Sequence, residues 1–294
     1  MCGGGGGNNA LLISKIFRIY YPQIKAKLKE SKQEYRLGEW LLYEELVFCN
    51  TESQSANEIA QKHFNANTQP INYTIKTLKE SFLKTSRLDS EYYQTKYEQN
   101  ENLIKSQHYA RLGDLVEIKK SIEPGSEAYR ESGIPFIRVS NLSHFGINQS
   151  EIYLDSADFN EEELKNLYPK KDMILLSKDG SIGLAYCLEK DLECITSGAI
   201  LHLQIKDKSL ILPQYLTLIL NSLTTELQAE RDSGGSIIAH WKLDEIKNVL
   251  IPILNKQIQQ TIESKIIQSF ALRTEAKILL EKAKAKVEEA IRKS

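Results

Sequence analysis

Asp232, Glu245 and Lys247 are the residues whose types and spacing come nearest to a catalytic constellation. In metal-dependent nucleases, carboxylates hold Mg²⁺ and a neighbouring lysine orients the attacking water. The Glu-x-Lys triplet is common in this chain, because it also begins at Glu30, Glu117, Glu263 and Glu275. The triplet therefore gives little support to a nuclease, and a solvated helix start is the simpler explanation.

Other catalytic signatures are missing from the sequence. It contains no G-x-x-x-x-G-K-[ST] loop for nucleotide phosphates, and no glycine-rich fingerprint for a dinucleotide or S-adenosylmethionine. The histidines and cysteines lack metal-ligand spacing: His63, His108, His144, His202, His240; Cys2, Cys49, Cys187, Cys194. We therefore expect none of these nucleotide, cofactor or zinc sites in this chain.

The composition is that of an ordinary soluble protein, with 41% hydrophobic and 26% charged residues and a net charge of −1. This charge argues against binding of nucleic acid by bulk positive charge, although a local basic face remains compatible with it. No run approaches the roughly 18 to 20 apolar residues of a membrane span, and no secretory signal opens the chain. We expect a cytoplasmic protein with reduced thiols.

The order of elements predicts an α+β fold in which one globular domain is flanked by long helices. We predict a disordered Gly-rich start (1–10), a helical segment (11–48), a linker with short helices (49–106), an α+β domain (107–252) and a long C-terminal helix (253–294).

Within these segments, residues of particular types locate the breaks and the strands. Pro22 and Gly38 predict interruptions of the first helix. Residues 212–232 predict one helix, with Pro213 near its start. The short apolar runs typical of strands are "GDLVEI", "IPFIRVSNL", "DMILLS", "SIGLAYCL" and "GAILHLQI".

The last segment has a heptad pattern. Its a and d positions hold Ile262, Ile266, Ala276, Leu280, Ala283, Val287 and Ala290, with Ser269 and Arg273 as polar breaks. A helix of this length needs a partner helix to bury that stripe. Residues 11–48 are the obvious candidate, from the same chain or from another copy.

Five stretches, in order along the chain, resemble a known family. They are "SRLDSEYYQTKY" (86–97), "LGDLVEI" (112–118), "GIPFIRVSNLSHFGI" (133–147), "KKDMILLSKDGSIGLAYCL" (170–188) and "SGGSIIAHWKLDEIKNVLIPILNKQIQQTI" (233–262). With them, residues 84–290 resemble the DNA-specificity subunit of type I restriction–modification systems, which serve in bacterial defence. No single motif decides the resemblance, but five in the right order are hard to obtain by chance.

The resemblance implies a mixed α/β target-recognition domain and two long helices that pair as an antiparallel coiled-coil spacer. Because only one recognition domain is present, it implies a half-size subunit that reads one half of a bipartite DNA target. The implied partners are double-stranded DNA, modification (methyltransferase) subunits, restriction subunits, and a second copy or another specificity polypeptide. S-adenosylmethionine, ATP and Mg²⁺ would be bound by the partner subunits, and no cofactor by this chain.

The resemblance also directs attention to polar residues on turns, which suit contacts with base edges and phosphates. The predicted DNA contacts are Lys119, Lys120, Ser121, Arg138, Ser140, Asn141, His144, Lys178, Ser181, Gly234, Gly235, Ser236, His240 and Lys242. Several of these residues also have a purely structural interpretation. Arg138 could equally form an internal ion pair, and residues 177–183 could form a plain hairpin turn. Gly234 and Gly235 could simply join a helix to a strand. The predicted helix-pairing residues are Ile262, Ile266, Leu280 and Val287.

Three other interpretations stay open. A recognition domain split from a type IIG methyltransferase–endonuclease would carry a similar domain, although it has no use for the helix at 11–48. A Mg²⁺-dependent nuclease would use Asp232, Glu245 and Lys247. A purely structural coiled-coil protein would leave residues 107–250 without a role.

Overall fold

The chain divides into two compact units, which we call the helical unit (Met1–Leu41 with Thr261–Ser294) and the sheet unit (Leu42–Gln260). The computed structural model describes residues 5–48, 74–233 and 240–292. None of the helices in this described part of the chain is both long and apolar enough to cross a membrane.

The described helices, in chain order, are α1 (Gly5–Phe48), α2 (Phe82–Thr85), α3 (Thr95–Lys105), α4 (Leu112–Leu115), α5 (Glu161–Leu167), α6 (Pro213–Leu220), α7 (Leu223–Ser233), α8 (Leu243–Asn248) and α9 (Lys256–Arg292). Short 3-10 turns lie at Ser90–Tyr93, Ser126–Ala128, Val139–Asn141 and Ser156–Asp158. The strands are β1 (Tyr109–Arg111), β2 (Val116–Lys120), β3 (Ile134–Ile137), β4 (Leu142–Ser143), β5 (Gly146–Ile147), β6 (Tyr153–Leu154), β7 (Ile174–Ser177), β8 (Ala185–Cys187), β9 (Ile195–Thr196), β10 (Ile200–Ile205) and β11 (Leu250–Pro252).

Helix α1 is continuous over 44 residues, so the predicted interruptions at Pro22 and Gly38 are wrong. A proline inside a helix removes one backbone hydrogen bond, a cost that tertiary pairing can offset. Gly38 serves packing instead, because a Cβ there would lie 3.0 Å from Cδ1 of Ile266. The helix begins at Gly5, so the predicted disorder is wrong for residues 5–10, although glycine and asparagine have low helix propensity. Residues 1–4 lie outside the described residues.

Helices α1 and α9 run antiparallel within the helical unit. Lys27 pairs with Glu275 at 2.8 Å, and the hydroxyls of Ser31 and Ser269 lie 3.0 Å apart. Residue numbers therefore increase along α1 in the direction in which they decrease along α9. Both serines are fully buried. The Ser269 hydroxyl also donates to the Ser31 carbonyl at 2.8 Å, which satisfies the polar groups inside the contact.

The predicted heptad residues differ in burial. Ile262 and Ile266 are buried, and Val287 is half-buried. Leu280 is 43% exposed, which contradicts its placement inside the seam. A regular heptad does not by itself bury every a and d position, because burial also requires facing side chains of the partner helix at the same level.

The sheet unit is built around a four-stranded antiparallel sheet in the order β2-β10-β7-β8. Strands β7 and β10 are nearly continuous apolar runs, and both are buried on their two faces. A second sheet, β6-β3-β9, contains the parallel pair β3–β9, and β4 and β5 form a short hairpin. A further pair, β1–β11, joins the start of the predicted domain to its end.

Two local predictions need correction. The predicted helix over 212–232 is two helices, α6 and α7, because Asn221 between them bonds to β8 instead. Its amide oxygen accepts from the Ala185 N–H at 2.9 Å, and its amide nitrogen donates to the Ala185 carbonyl at 2.8 Å. The stretch "GDLVEI" is helical as far as Leu115 and extended only from Val116.

Candidate nucleic-acid interface

The register of the main sheet brings several predicted turns to one edge. Lys120 at the end of β2 pairs with Leu201 near the start of β10. Ser177 at the end of β7 pairs with Ile200, and β8 begins beside them at Ala185. The segments that follow β2 and β7 and precede β8 and β10 therefore share this edge.

The second sheet delivers another predicted segment to the same edge. Ile137 pairs with Thr196 in the parallel strands β3 and β9. The Ser197 N–H donates to the Ile137 carbonyl at 2.8 Å, and Ser197 also forms a bridge with Ile122 just beyond β2. The chain that leaves β3 at Arg138 therefore starts next to the end of β2.

The segment before α8 is tied to the turn between β7 and β8. The Trp241 N–H donates to the Lys178 carbonyl at 2.8 Å, and the Trp241 side chain is fully buried. Asp179 contacts both the Lys178 ammonium and Nδ1 of His240. We call the four segments gathered in this way, residues 119–122, 138–144, 178–183 and 240–242, the polar edge.

At the end of β2, Lys119 and Lys120 are exposed, and no acidic partner holds either one among the described residues. Together with Ser121, Asn166 and His202, they line a cleft of about 400 Å³. His202 is buried and its Nε2 lies 2.8 Å from the Thr196 hydroxyl. Burial, with the charge of Lys119 beside it, lowers the pKa of His202 to about 4. The positive charge of this cleft therefore belongs to the lysines.

At the end of β3, Arg138 is exposed, and its guanidinium has no ion-pair or hydrogen-bond partner within the part of the chain that the structure describes. The alternative of an internal ion pair for Arg138 finds no partner there. Asn141 is placed differently, because its amide oxygen accepts from the Arg138 N–H at 3.0 Å and its amide nitrogen donates to the Gln149 carbonyl at 3.2 Å. Asn141 holds this turn, whereas Arg138 and the exposed Ser140 keep their side-chain groups available.

The two residues at the tip of the β4–β5 hairpin are exposed, namely the predicted His144 and its neighbour Phe145. His144 lines a cleft of about 510 Å³ together with Ser181, so two separately predicted residues face one space. Phe145 is 39% exposed and was not among the predicted contacts.

The remaining predicted contacts have mixed placements. The Lys178 side chain is only 13% exposed and is held by Asp179, so it stabilises the turn, whereas Ser181 is exposed. Lys242 is exposed and lies 3.5 Å from Glu245. Gly234, Gly235 and Ser236 lie outside the described residues.

With this geometry in place, the comparison with protein families is direct. Residues 105–285 match the model of the family described as "Type I restriction modification DNA specificity domain". The chain belongs to this family. The match covers more than half of the chain and includes the whole polar edge. No curated protein matches the chain.

One solved specificity subunit has a similar fold. A type I restriction–modification S subunit from M. genitalium matches with a TM-score of 0.51 at 15% identity, over 97% of this chain and 61% of that chain. The HsdS subunit from Thermoanaerobacter tengcongensis matches with a TM-score of 0.41 at 14% identity, over 95% of this chain and 58% of that chain. This member of the specificity-domain family therefore spans less than two thirds of each solved chain. The first likeness confirms the predicted α+β fold with long flanking helices.

The geometry around Asp232, Glu245 and Lys247 gives little support to the nuclease interpretation. Asp232 and Glu245 line one cleft of about 510 Å³, but Lys247 lies 3.8 Å from the carboxylate of Asp244. Burial raises the pKa of Asp232 to about 6, which weakens it as a ligand for a hard cation. Among the described residues, no three His, Cys, Asp or Glu side chains are grouped as a metal site would require.

Proposed function

We propose that this chain is the DNA-specificity subunit of a type I restriction–modification system, and that its sheet unit reads one half of a bipartite target. The polar edge is the observation that carries the proposal. It presents the guanidinium of Arg138, which has no partner among the described residues, the ammonium groups of Lys119 and Lys120, and exposed hydroxyls on turns at the end of the main sheet. Family membership supports DNA as the ligand.

The polar edge divides into two kinds of contact. Lysine ammonium groups suit phosphates, which fix position without reading sequence, so we assign Lys119 and Lys120 to the DNA backbone. A guanidinium donates two parallel hydrogen bonds to O6 and N7 of guanine, so we assign Arg138 to a base edge in the major groove. The side chains of Ser140, His144 and Ser181 are short, so they can contact DNA only where the turns come close to it.

The helical unit supports the pairing of two copies. Large apolar side chains remain exposed on both helices even though α1 and α9 cover each other: Phe17, Ile19, Tyr21, Leu28, Ile267, Ile278, Leu280 and Ile291. A second copy would bury them and supply the second recognition domain, with a palindromic target as the consequence. A recognition domain detached from a type IIG enzyme would have no use for such a surface.

Catalysis then belongs to the partner subunits. We assign methyl transfer and cleavage to modification and restriction subunits, which would bind S-adenosylmethionine, ATP and Mg²⁺, and no cofactor to this chain. The modification subunits would dock on the outer faces of the helices. A DNA-reading subunit of this kind acts on the chromosome and on invading DNA, which places it in the cytoplasm.

A selection from random-sequence duplex DNA tests the proposal. The full chain is co-purified with the modification subunit, and the modification subunit alone serves as the control. Two mirror-image half-sites at a fixed spacing are the expected result. A single half-site would support a lone recognition domain or an unlike partner, and an absence of enrichment by folded protein would contradict DNA reading.

A further inference from the structure

The turn between β7 and β8 is held in place by several contacts. The Ser177 hydroxyl donates to the Ser181 carbonyl at 2.5 Å and accepts from the Leu184 N–H at 2.9 Å. Gly180 has a φ of +73°, in the left-handed region that favours glycine, and a Cβ there would meet nothing within 4 Å. The residue before it, Asp179, therefore has a defined position on the turn and lies beside open space.

Asp179 connects this turn to the segment before α8. One of its carboxylate oxygens contacts the Lys178 ammonium, and the other contacts Nδ1 of His240. Asp179 and His240 also form a backbone bridge, and the Trp241 N–H donates to the Lys178 carbonyl at 2.8 Å. Because the Trp241 side chain is fully buried, the backbone that carries His240 is anchored in the sheet unit. The imidazole ring is therefore held both through its backbone and through Nδ1.

The contact with Asp179 determines which hydrogen-bonding group His240 presents outward. An ionised carboxylate only accepts hydrogen bonds, so Nδ1 must carry a proton to bond with it. In a neutral imidazole the other ring nitrogen, Nε2, is then an acceptor. The His240 side chain is 55% exposed, and Nε2 has no partner among the described residues. His240 thus adds a hydrogen-bond acceptor to the polar edge.

An acceptor is what the cationic residues of the polar edge lack. Arg138, Lys119 and Lys120 can only donate, so they suit phosphate oxygens and the acceptor atoms of guanine. The donors that bases present in the major groove are the N6 amino group of adenine and the N4 amino group of cytosine. An imidazole with an unprotonated Nε2 can accept from either amino group, whereas guanine and thymine offer it only acceptors there.

We propose that His240 reads the amino group of an adenine or a cytosine through Nε2, and that Asp179 is the positioning residue that makes Nε2 an acceptor. This inference rests on the proposed function and specifies the chemistry of one further base contact. Asp179 itself does not touch the DNA in this arrangement. Lys178 balances its negative charge within the turn, so the carboxylate repels the DNA backbone little.

Nuclear magnetic resonance of the imidazole nitrogens tests the tautomer without DNA. The full chain carries ¹⁵N-labelled histidine, and His240→Ala identifies the His240 signals. At about pH 8, above the ordinary range of imidazole protonation, Nδ1 should carry the proton in wild type. Asp179→Asn should shift the ring toward the tautomer with the proton on Nε2, because an amide can donate to Nδ1. A wild-type ring with its proton on Nε2, or with protons on both nitrogens, would overturn the inference.

The random-duplex selection, with the modification subunit present, tests the base contact. His240→Ala should lose about fivefold preference for adenine or cytosine at one position, and the enriched base identifies the amino group. Asp179→Asn should lose the same preference, and the double variant no more than His240→Ala. Asp172→Asn is the matched control: Asp172 also holds a lysine, Lys208 at 2.6 Å, and its side chain is 33% exposed against 30% for Asp179. It precedes the opposite end of β7, so the preference should be unchanged.

Three results of the selection would overturn the inference and leave the proposed function standing. Tighter binding of Asp179→Asn to all sequences, with unchanged base preference, would mean that Asp179 only neutralises Lys178. Loss of the preference in Asp179→Asn but not in His240→Ala would mean that the carboxylate acts on the turn alone. A lost preference for guanine or thymine in His240→Ala would exclude Nε2 as an acceptor. An absence of enrichment by wild type would remove both proposals together.

Discussion

The seam between α1 and α9 and the polar edge of the main sheet differ in burial and in how their polar groups are bonded. The seam is buried and mostly apolar, and its central polar pair, Ser31 with Ser269, is satisfied internally. The polar edge is exposed and gathers segments from distant parts of the sequence, and the Arg138 guanidinium has no partner within the described part of the chain. The difference separates residues that hold the molecule together from residues with hydrogen bonds still to make.

The largest effect is expected from the seam. Ile266→Ala removes a side chain that is only 2% exposed, so the free energy of unfolding should fall by about 2–5 kcal/mol. Urea denaturation measures this change. The base preference of the protein that remains folded should equal that of wild type, and an altered preference would break the separation between the two regions.

Arg138→Ala is the matching test at the polar edge. It should lower discrimination at one base position by about 1–3 kcal/mol and leave the free energy of unfolding within about 0.5 kcal/mol of wild type. Selection and urea denaturation measure the two quantities. Arg130→Ala is the control, because the Arg130 guanidinium bonds to the Glu127 and Tyr129 carbonyls. Equal base preference in Arg138→Ala and wild type would remove Arg138 from base reading.

Lys119 and Lys120 test whether the polar edge combines contacts to phosphates with contacts to bases. Lys119→Ala and Lys120→Ala should weaken binding to all sequences alike and each reduce the salt slope by about 1. Titrations of anisotropy at several salt concentrations measure the slope. Lys190→Ala, which changes an exposed lysine beyond the opposite end of β8, should leave the slope unchanged. A sequence-dependent loss would mean that these lysines read bases.

The smallest effect distinguishes the two buried serines. Ser269→Ala removes both the hydroxyl contact and the bond to the Ser31 carbonyl, so it should cost about 1 kcal/mol. Ser31→Ala leaves the bond from Ser269 to that carbonyl in place and should cost less than half as much. Urea denaturation of the two variants decides the order, and the reverse order would contradict the hydrogen bonding of the seam.

The spacing of apolar residues predicted the two long helices. It did not predict the continuity of α1 or the burial of every residue in the seam. The pairing of Ile262 with Ile266 on one face is visible in sequence because residues four apart lie on the same side of a helix. The continuity of α1 through Gly38 was missed, because glycine there serves the close approach of Ile266 from the other helix, which no local rule includes. The exposure of Leu280 likewise depends on how much of the seam one partner helix covers.

The sequence named several residues of the polar edge as candidates, but it did not predict the contacts that bring them together. Turn composition identified Arg138, Ser181 and His240 as candidates. The contact between Asp179 and His240 joins residues 61 apart in sequence, and it could not be inferred before the fold was known. The fold separates residues that bond within the protein from residues that remain exposed.

Mapping of methylated bases in cells tests the central claim most directly. A host without related methylation expresses the modification subunit with wild type, Ile266→Ala or Arg138→Ala. We predict a bipartite methylated motif with wild type, the same motif at lower occupancy with Ile266→Ala, and a motif relaxed at one position of each half with Arg138→Ala. Methylation that occurs without this chain, or a motif that Arg138→Ala leaves unchanged, would contradict the account.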